Sequence, residues 1–108
     1  MAKTELLSGT LDLLILRVLN GGSLHGFAIA ERIHLLSREV LTVEEGSLYP
    51  SLYRMEGKGW VEAEWGQSDK GRRAKFYSLT KEGRKQLERE REIWKQMAVA
   101  IGDVLENA

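Results

Sequence analysis

The chain has 108 residues and a mass of 12.2 kDa, room for one compact domain and a protruding element. At 43% hydrophobic and 30% charged it is too apolar for a disordered chain, and it contains no 18-residue apolar run to span a bilayer. Sixteen Lys plus Arg balance sixteen Asp plus Glu, so a polyanionic partner must be met by a local patch, and the absence of Cys excludes thiol nucleophiles, thiolate metal sites and disulfides.

The amino-terminal stretch MAKTELLSG lacks the long apolar core of a signal peptide, which makes a cytoplasmic location the expectation. Leu11, Leu14, Ile15, Val18 and Leu19 then recur at helical spacing, with Thr10 expected as the N-cap. Leu13 and Leu16 make this first helix apolar on a second face, which implies cover from beyond its own small domain. Gly21-Gly22-Ser23 ends it, and Ser23 is expected to cap a second helix over residues 25–37, with Ile29, Ile33 and Leu36 on one face. A short extended stretch, Val40 to Val43, leads to a third helix. Pro50 fits a first helical turn, so this helix is expected to start near Glu45 or Gly46, bury Leu48, Leu52 and Met55, and end at Gly57 and Gly59.

WVEAEW alternates in the manner of a strand, placing Val61, Ala63 and Trp65 on one face, and RAKFYSL reads as its partner. The loop GQSDKGR between them gives a hairpin with a cationic tip. After Thr80 a long helix follows. Leu87, Trp94 and Ile101 lie seven apart with Met97 and Val104 between them, a coiled-coil seam expected to form a dimer interface. The fold class is therefore mainly α with a β-hairpin wing: a winged helix-turn-helix over residues 1–79 and a C-terminal dimerisation helix over 80–108.

In that arrangement the third helix enters the DNA major groove and the hairpin straddles the backbone. Ser47, Ser51, Arg54 and Lys58 share one helix face, with Tyr49 and Tyr53 to the other side, and hydroxyls and guanidinium groups read base edges or grip phosphates. A solvated face fits the same residues, because Glu56 lies beside them and Arg54 and Lys58 have the spacing of ordinary surface charges. On the hairpin, Lys70 and Arg72 are expected to meet phosphate. Arg73 and Lys75 are open to the same role or to cross-strand pairing with Glu62 and Glu64. His25 and His34 fall roughly opposite on the second helix, which excludes a two-histidine metal pair. No phosphate loop, nucleophile elbow or dinucleotide fingerprint is present, so neither enzymatic activity nor a cofactor or metal is expected. Trp94 is large for tight two-helix packing and suits either a wide interface or plain core packing.

The blocks GTLDLLILRVL, LHGFAIAERI, EEGSLYPSLYRMEGKGWVEAEWG and RRAKFYSLTKEGR together resemble the PadR-like transcriptional regulators over nearly the whole chain. The short C-terminal helix is similar to that of the smaller subfamily, and the sequence resembles an acidobacterial branch associated with transporter permeases. The resemblance implies a compact dimer, acting mostly as a repressor and released by small molecules such as phenolic acids or hydrophobic drugs. It places Ser47, Tyr49, Ser51 and Arg54 in the recognition-helix block and Lys70, Arg72 and Arg73 in a basic wing. Trp94 stands where multidrug-binding members carry a tryptophan that lines a pore between subunits. Phe27 replaces the Tyr common after His-Gly and Met55 a usual Leu, both with apolar bulk kept.

The expected function is thus a homodimeric repressor on double-stranded DNA with a pseudopalindromic operator and no membrane association. A planar apolar effector would bind between the subunits against Trp94, Met97, Leu13 and Leu16. Two rivals are a winged helix that binds only protein and a ligand-binding dimer without DNA affinity.

Overall fold

The computed structural model describes residues 9–108. In chain order they form α1 (Thr10–Leu19), β1 (Leu24–His25), α2 (Gly26–Leu36), α3 (Glu45–Gly57), β2 (Val61–Gln67), β3 (Arg73–Leu79) and α4 (Lys81–Asn107). The three strands make an antiparallel sheet in the order β1-β3-β2. This is the winged helix-turn-helix with a long C-terminal helix that the sequence implied.

One core unites these elements. Ile15, Leu16, Ile29, Leu48, Leu52, Met55, Val61 and Leu87 have almost no solvent contact, and they come from α1, α2, α3, β2 and α4 together. α1 is the central rod, touching α2, α3, β3 and α4. Its second apolar face is therefore covered largely from within the chain. Leu16 is 0% exposed.

Helix boundaries follow local chemistry that differs in places from expectation. The N-cap of α1 is Gly9, at φ 88°, with Thr10 already helical. The cap of α2 is His25 and not Ser23: its Nδ1 accepts from Ala28 N at 3.3 Å. The chain before α2 is drawn into the sheet, where Leu24 faces Tyr77 and His25 faces Phe76. Gly26 opens α2 because a Cβ there would stand 2.5 Å from the Tyr49 hydroxyl of α3.

α3 starts at Glu45, so Pro50 lies in the second turn and not the first. Its missing N–H leaves the Gly46 carbonyl without a helical partner, and both residues sit on the exposed side where water can serve. Thr80 caps α4, its Oγ1 accepting from Gly83 N at 3.0 Å and donating to Gly59 O at 2.6 Å. That hydroxyl ties the start of α4 to the turn before β2. Gly83 lies against the Trp60 carbonyl so closely that a Cβ would stand 2.0 Å from it.

Beyond Leu87 the helix leaves the body. Ile93, Trp94, Met97, Ile101, Val104 and Leu105 are all exposed, giving the second half of α4 an apolar side that its own chain does not cover. No helix among the described residues is long and apolar enough to cross a membrane.

Candidate nucleic-acid interface and apolar groove

α3 buries Leu48, Ser51, Leu52 and Met55 and turns the opposite arc outward: Gly46, Ser47, Tyr49, Pro50, Tyr53 and Arg54. Ser51 is 7% exposed, so the expectation that it contacts DNA is corrected. It stands about 40° round the helix from Ser47, on the inward side. Tyr53, by contrast, is 80% exposed and shares the outer arc with Tyr49. Sequence reasoning had it as a flanking residue only, although its spacing of four from Tyr49 places both rings on one face.

Arg54 is held from behind. Its Nη2 donates to Asp12 Oδ1 at 2.6 Å and Oδ2 at 2.5 Å, a bridge that fastens α3 to α1. Asp12 is largely buried while Arg54 remains about half exposed, so the guanidinium has N–H groups left for an outward partner. Lys58 folds back over the Trp60 ring, 4.8 Å from its centroid.

In the wing, Gln67 and Arg73 close the strand ladder, and residues 68–72 form the tip, where Ser68 N donates to Arg72 O and Gly71 N to Ser68 O. Lys70 and Arg72 stand exposed on this tip. Cross-strand pairing of Arg73 and Lys75 with Glu62 and Glu64, one of the two roles open to them, is not found among the described residues. The register sets Lys75 opposite Trp65 and Glu64 opposite Phe76. Lys75 instead approaches Glu56 of α3 at 3.4 Å, while Arg73 stacks on Trp65 at 4.7 Å. An open cleft of about 880 Å³ lies between the start of α2, Tyr49 and the wing, with Phe27, Trp65, Lys70 and Arg72 on its walls. Phe27 and Trp65 were not anticipated here. Each is a large apolar side chain beside cationic residues, and Trp65 alternates with Val61 in a strand whose inner positions end before it.

The two histidines are structural: His25 caps α2 and meets Phe76 edge-on, and His34 Nδ1 pairs with Leu41 O at 2.9 Å. Among the described residues no three His, Cys, Asp or Glu side chains group as a metal site.

A second concavity of about 400 Å³ runs between α1 and α4, lined by Leu13, Glu90, Ile93, Trp94, Met97 and Ile101. Trp94 is 52% exposed there, which excludes solid core packing within the chain. Two expected residues are absent from these surfaces. Leu16 is enclosed in the core and cannot line a slot, and Leu87, 1% exposed, packs inside its own chain and not at an interface seam. Both belong to the one core that α1 and α4 share with the other elements, which the spacing within a single helix does not reveal.

Residues 15–89 match the Transcriptional regulator PadR-like family, more than half of the chain. The chain belongs to this family of transcriptional regulators. It is similar to a PadR-like transcriptional regulator of Bacillus cereus, with 26% identity and a TM-score of 0.79 over 97% of this chain and all of that one. A PadR family regulator of Clostridium difficile is 30% identical with a TM-score of 0.76, covering 90% and 99% of the two chains. An uncharacterised protein of Lysinibacillus sphaericus is 27% identical over 101 residues, 94% of this chain and 93% of its own. As a PadR-like regulator the protein is a winged-helix DNA-binding transcription factor and not an enzyme.

Proposed function

We propose that this PadR-like protein is a cytoplasmic, homodimeric repressor that binds a pseudopalindromic operator and is released by a small molecule at the dimer interface. The carrying observation is the bare apolar side of α4, with Trp94, Met97, Ile101 and Val104 exposed on a helix whose first turns are anchored in the core. Such a side calls for a partner, and a second copy of the same helix supplies a self-complementary one. In this reading residues 1–79 carry the DNA-binding head and residues 80–108 the dimerisation helix.

Each head presents α3 to the major groove. Ser47 and Tyr49 reach base edges, Tyr53 reaches toward sugar or base, and Arg54 grips phosphate from its seat on Asp12. Lys70 and Arg72 on the wing tip contact the backbone, with Arg73 and Lys75 adding positive field while bound to Trp65 and Glu56. Two Trp94 side chains, one per subunit, border a slot for a flat apolar effector together with Met97 and Leu13. An effector that prefers a different angle between the α4 helices changes the spacing of the heads and lowers operator affinity.

Electrophoretic retardation of the gene's own promoter fragment, against a scrambled duplex, tests the DNA-binding half of this reading. A reporter under that promoter tests repression. Selective retardation and lower reporter output on expression are expected. Equal retardation of both duplexes contradicts operator recognition, and raised output contradicts repression.

A further inference from the structure

Two large aromatic side chains line the cleft between α2 and the wing without being covered: Phe27 is 67% exposed and Trp65 58% exposed. Neither belongs to the core. Phe27 lies near the His25 ring, 6.4 Å between centroids, and Trp65 carries the Arg73 guanidinium, yet both keep more than half of their surface open. Trp65 shares a strand face with Val61 and Ala63, so the face of β2 that packs on the core runs on past the core's end and emerges in the cleft. Folding accounts for Val61 and not for Trp65.

The cleft adjoins both surfaces assigned to DNA above, with Tyr49 of α3 on one wall and Lys70 and Arg72 of the wing tip on another. Its charged lining is cationic on balance: Lys70, Arg72, Arg73 and Lys75 against Glu31 and Asp69. With α3 in the major groove and the tip on the backbone beyond it, the strand between the two crosses this cleft. We infer that the cleft seats that sugar-phosphate strand, with Trp65 and Phe27 packed on deoxyribose rings and the cations set against the phosphates. The inference rests on the DNA-binding reading above and adds an apolar contact to it. Cations alone would serve a row of phosphates. Exposed rings between them suit a strand in which phosphate alternates with sugar, whose C–H surface is apolar. Such a contact releases no counterions and carries no sequence information, so its signature differs from that of a phosphate-binding lysine and from that of a base-reading side chain.

The test is fluorescence-anisotropy titration of the full-length protein into its own promoter duplex and into a scrambled duplex, over a series of salt concentrations. Trp65→Ala and Phe27→Ala are each expected to weaken binding about tenfold, by the same factor for both duplexes, with the log-log salt slope unchanged. Trp65→Phe, which keeps a ring, is expected to restore most of the affinity. Melting temperatures close to wild type are expected throughout, because both side chains are exposed. Should Trp65→Ala not fold, Phe27→Ala, on a separate element, decides by itself. Unchanged affinity in both alanine variants, as when the rings serve a protein partner instead, overturns the inference. A slope that falls with Trp65→Ala means that the indole only seats Arg73, and a loss confined to the promoter duplex means that it reads bases. Either result overturns the sugar contact. Equal wild-type affinities for the two duplexes overturn operator recognition and leave the sugar contact standing, whereas no binding to either duplex overturns both.

Discussion

Single side chains carry much of the geometry, and two of them give sharp expectations. Gly83 sits where α4 crosses the backbone of Trp60, and a Cβ would meet the Trp60 carbonyl and a Leu79 methyl together. The Trp60 carbonyl is backbone and cannot turn aside, so Gly83→Ala must push α4 off the body. A loss of about 3 kcal/mol or more in denaturant unfolding is expected. A loss below ~1 kcal/mol would mean that α4 docks elsewhere. Glu90 supplies the second. Burial raises its pKa above the ordinary carboxylate value; the Gln86 side chain opposes this, Asp12 reinforces it, and the positive charges of Lys58 and Arg54 oppose it. Stability from this group is therefore present in full below its unfolded pKa and declines as pH rises through its folded one. Glu90→Gln should melt above wild type at neutral pH, and the gap should close on acidification past the carboxylate range. A gap that widens in acid would reverse the sign assigned here. The same residue shows where sequence reading fell short. Its heptad position was visible beside Trp94, yet only the structure reveals that each basic neighbour on the helix is engaged elsewhere.

In the proposed complex the wing and α3 would divide the work on DNA. Lys70 and Arg72 stand free on the tip, whereas Lys75 is tied to Glu56 and Arg73 to Trp65. Lys70→Ala or Arg72→Ala, present twice in a dimer, should each lower the log-log salt slope of operator binding by about 2. Lys75→Ala should lower it less, and a wing series that leaves the slope unchanged would remove the wing from the backbone. The two long strands were legible, because WVEAEW alternates, with Val61 and Ala63 turned inward, and RAKFYSL follows at hairpin distance. β1 was not: two residues hold no period, and Leu24–His25 join the sheet only because β3 offers them an edge. The stripe Leu48, Leu52, Met55 was read correctly from spacing, while the burial of Ser51 beside it depends on how α3 rolls against α1, which spacing does not encode. The Asp12–Arg54 bridge spans 42 positions, beyond any local pattern.

For the whole molecule, the Cα extents of 53 × 35 × 21 Å reflect a compact head with α4 projecting from it. The exposed side of α4 together with Leu13 would form an interface on the order of 2,000 Å² in an obligate dimer. In the proposed dimer its center would hold Trp94, Met97 and Ile101, which are exposed on the single chain, whereas Leu87, 1% exposed, roots the helix in its own chain. Ile101→Asp should place a charge in that interface and abolish assembly. The most direct measurement is sedimentation equilibrium of the protein, alone and with its own promoter duplex, for wild type and Ile101→Asp. Two chains free and two chains per half-site pair of duplex are predicted for wild type, with tight binding lost in the variant. A folded single wild-type chain at micromolar concentration, or an Ile101→Asp variant that binds the promoter as tightly as wild type, would contradict the account.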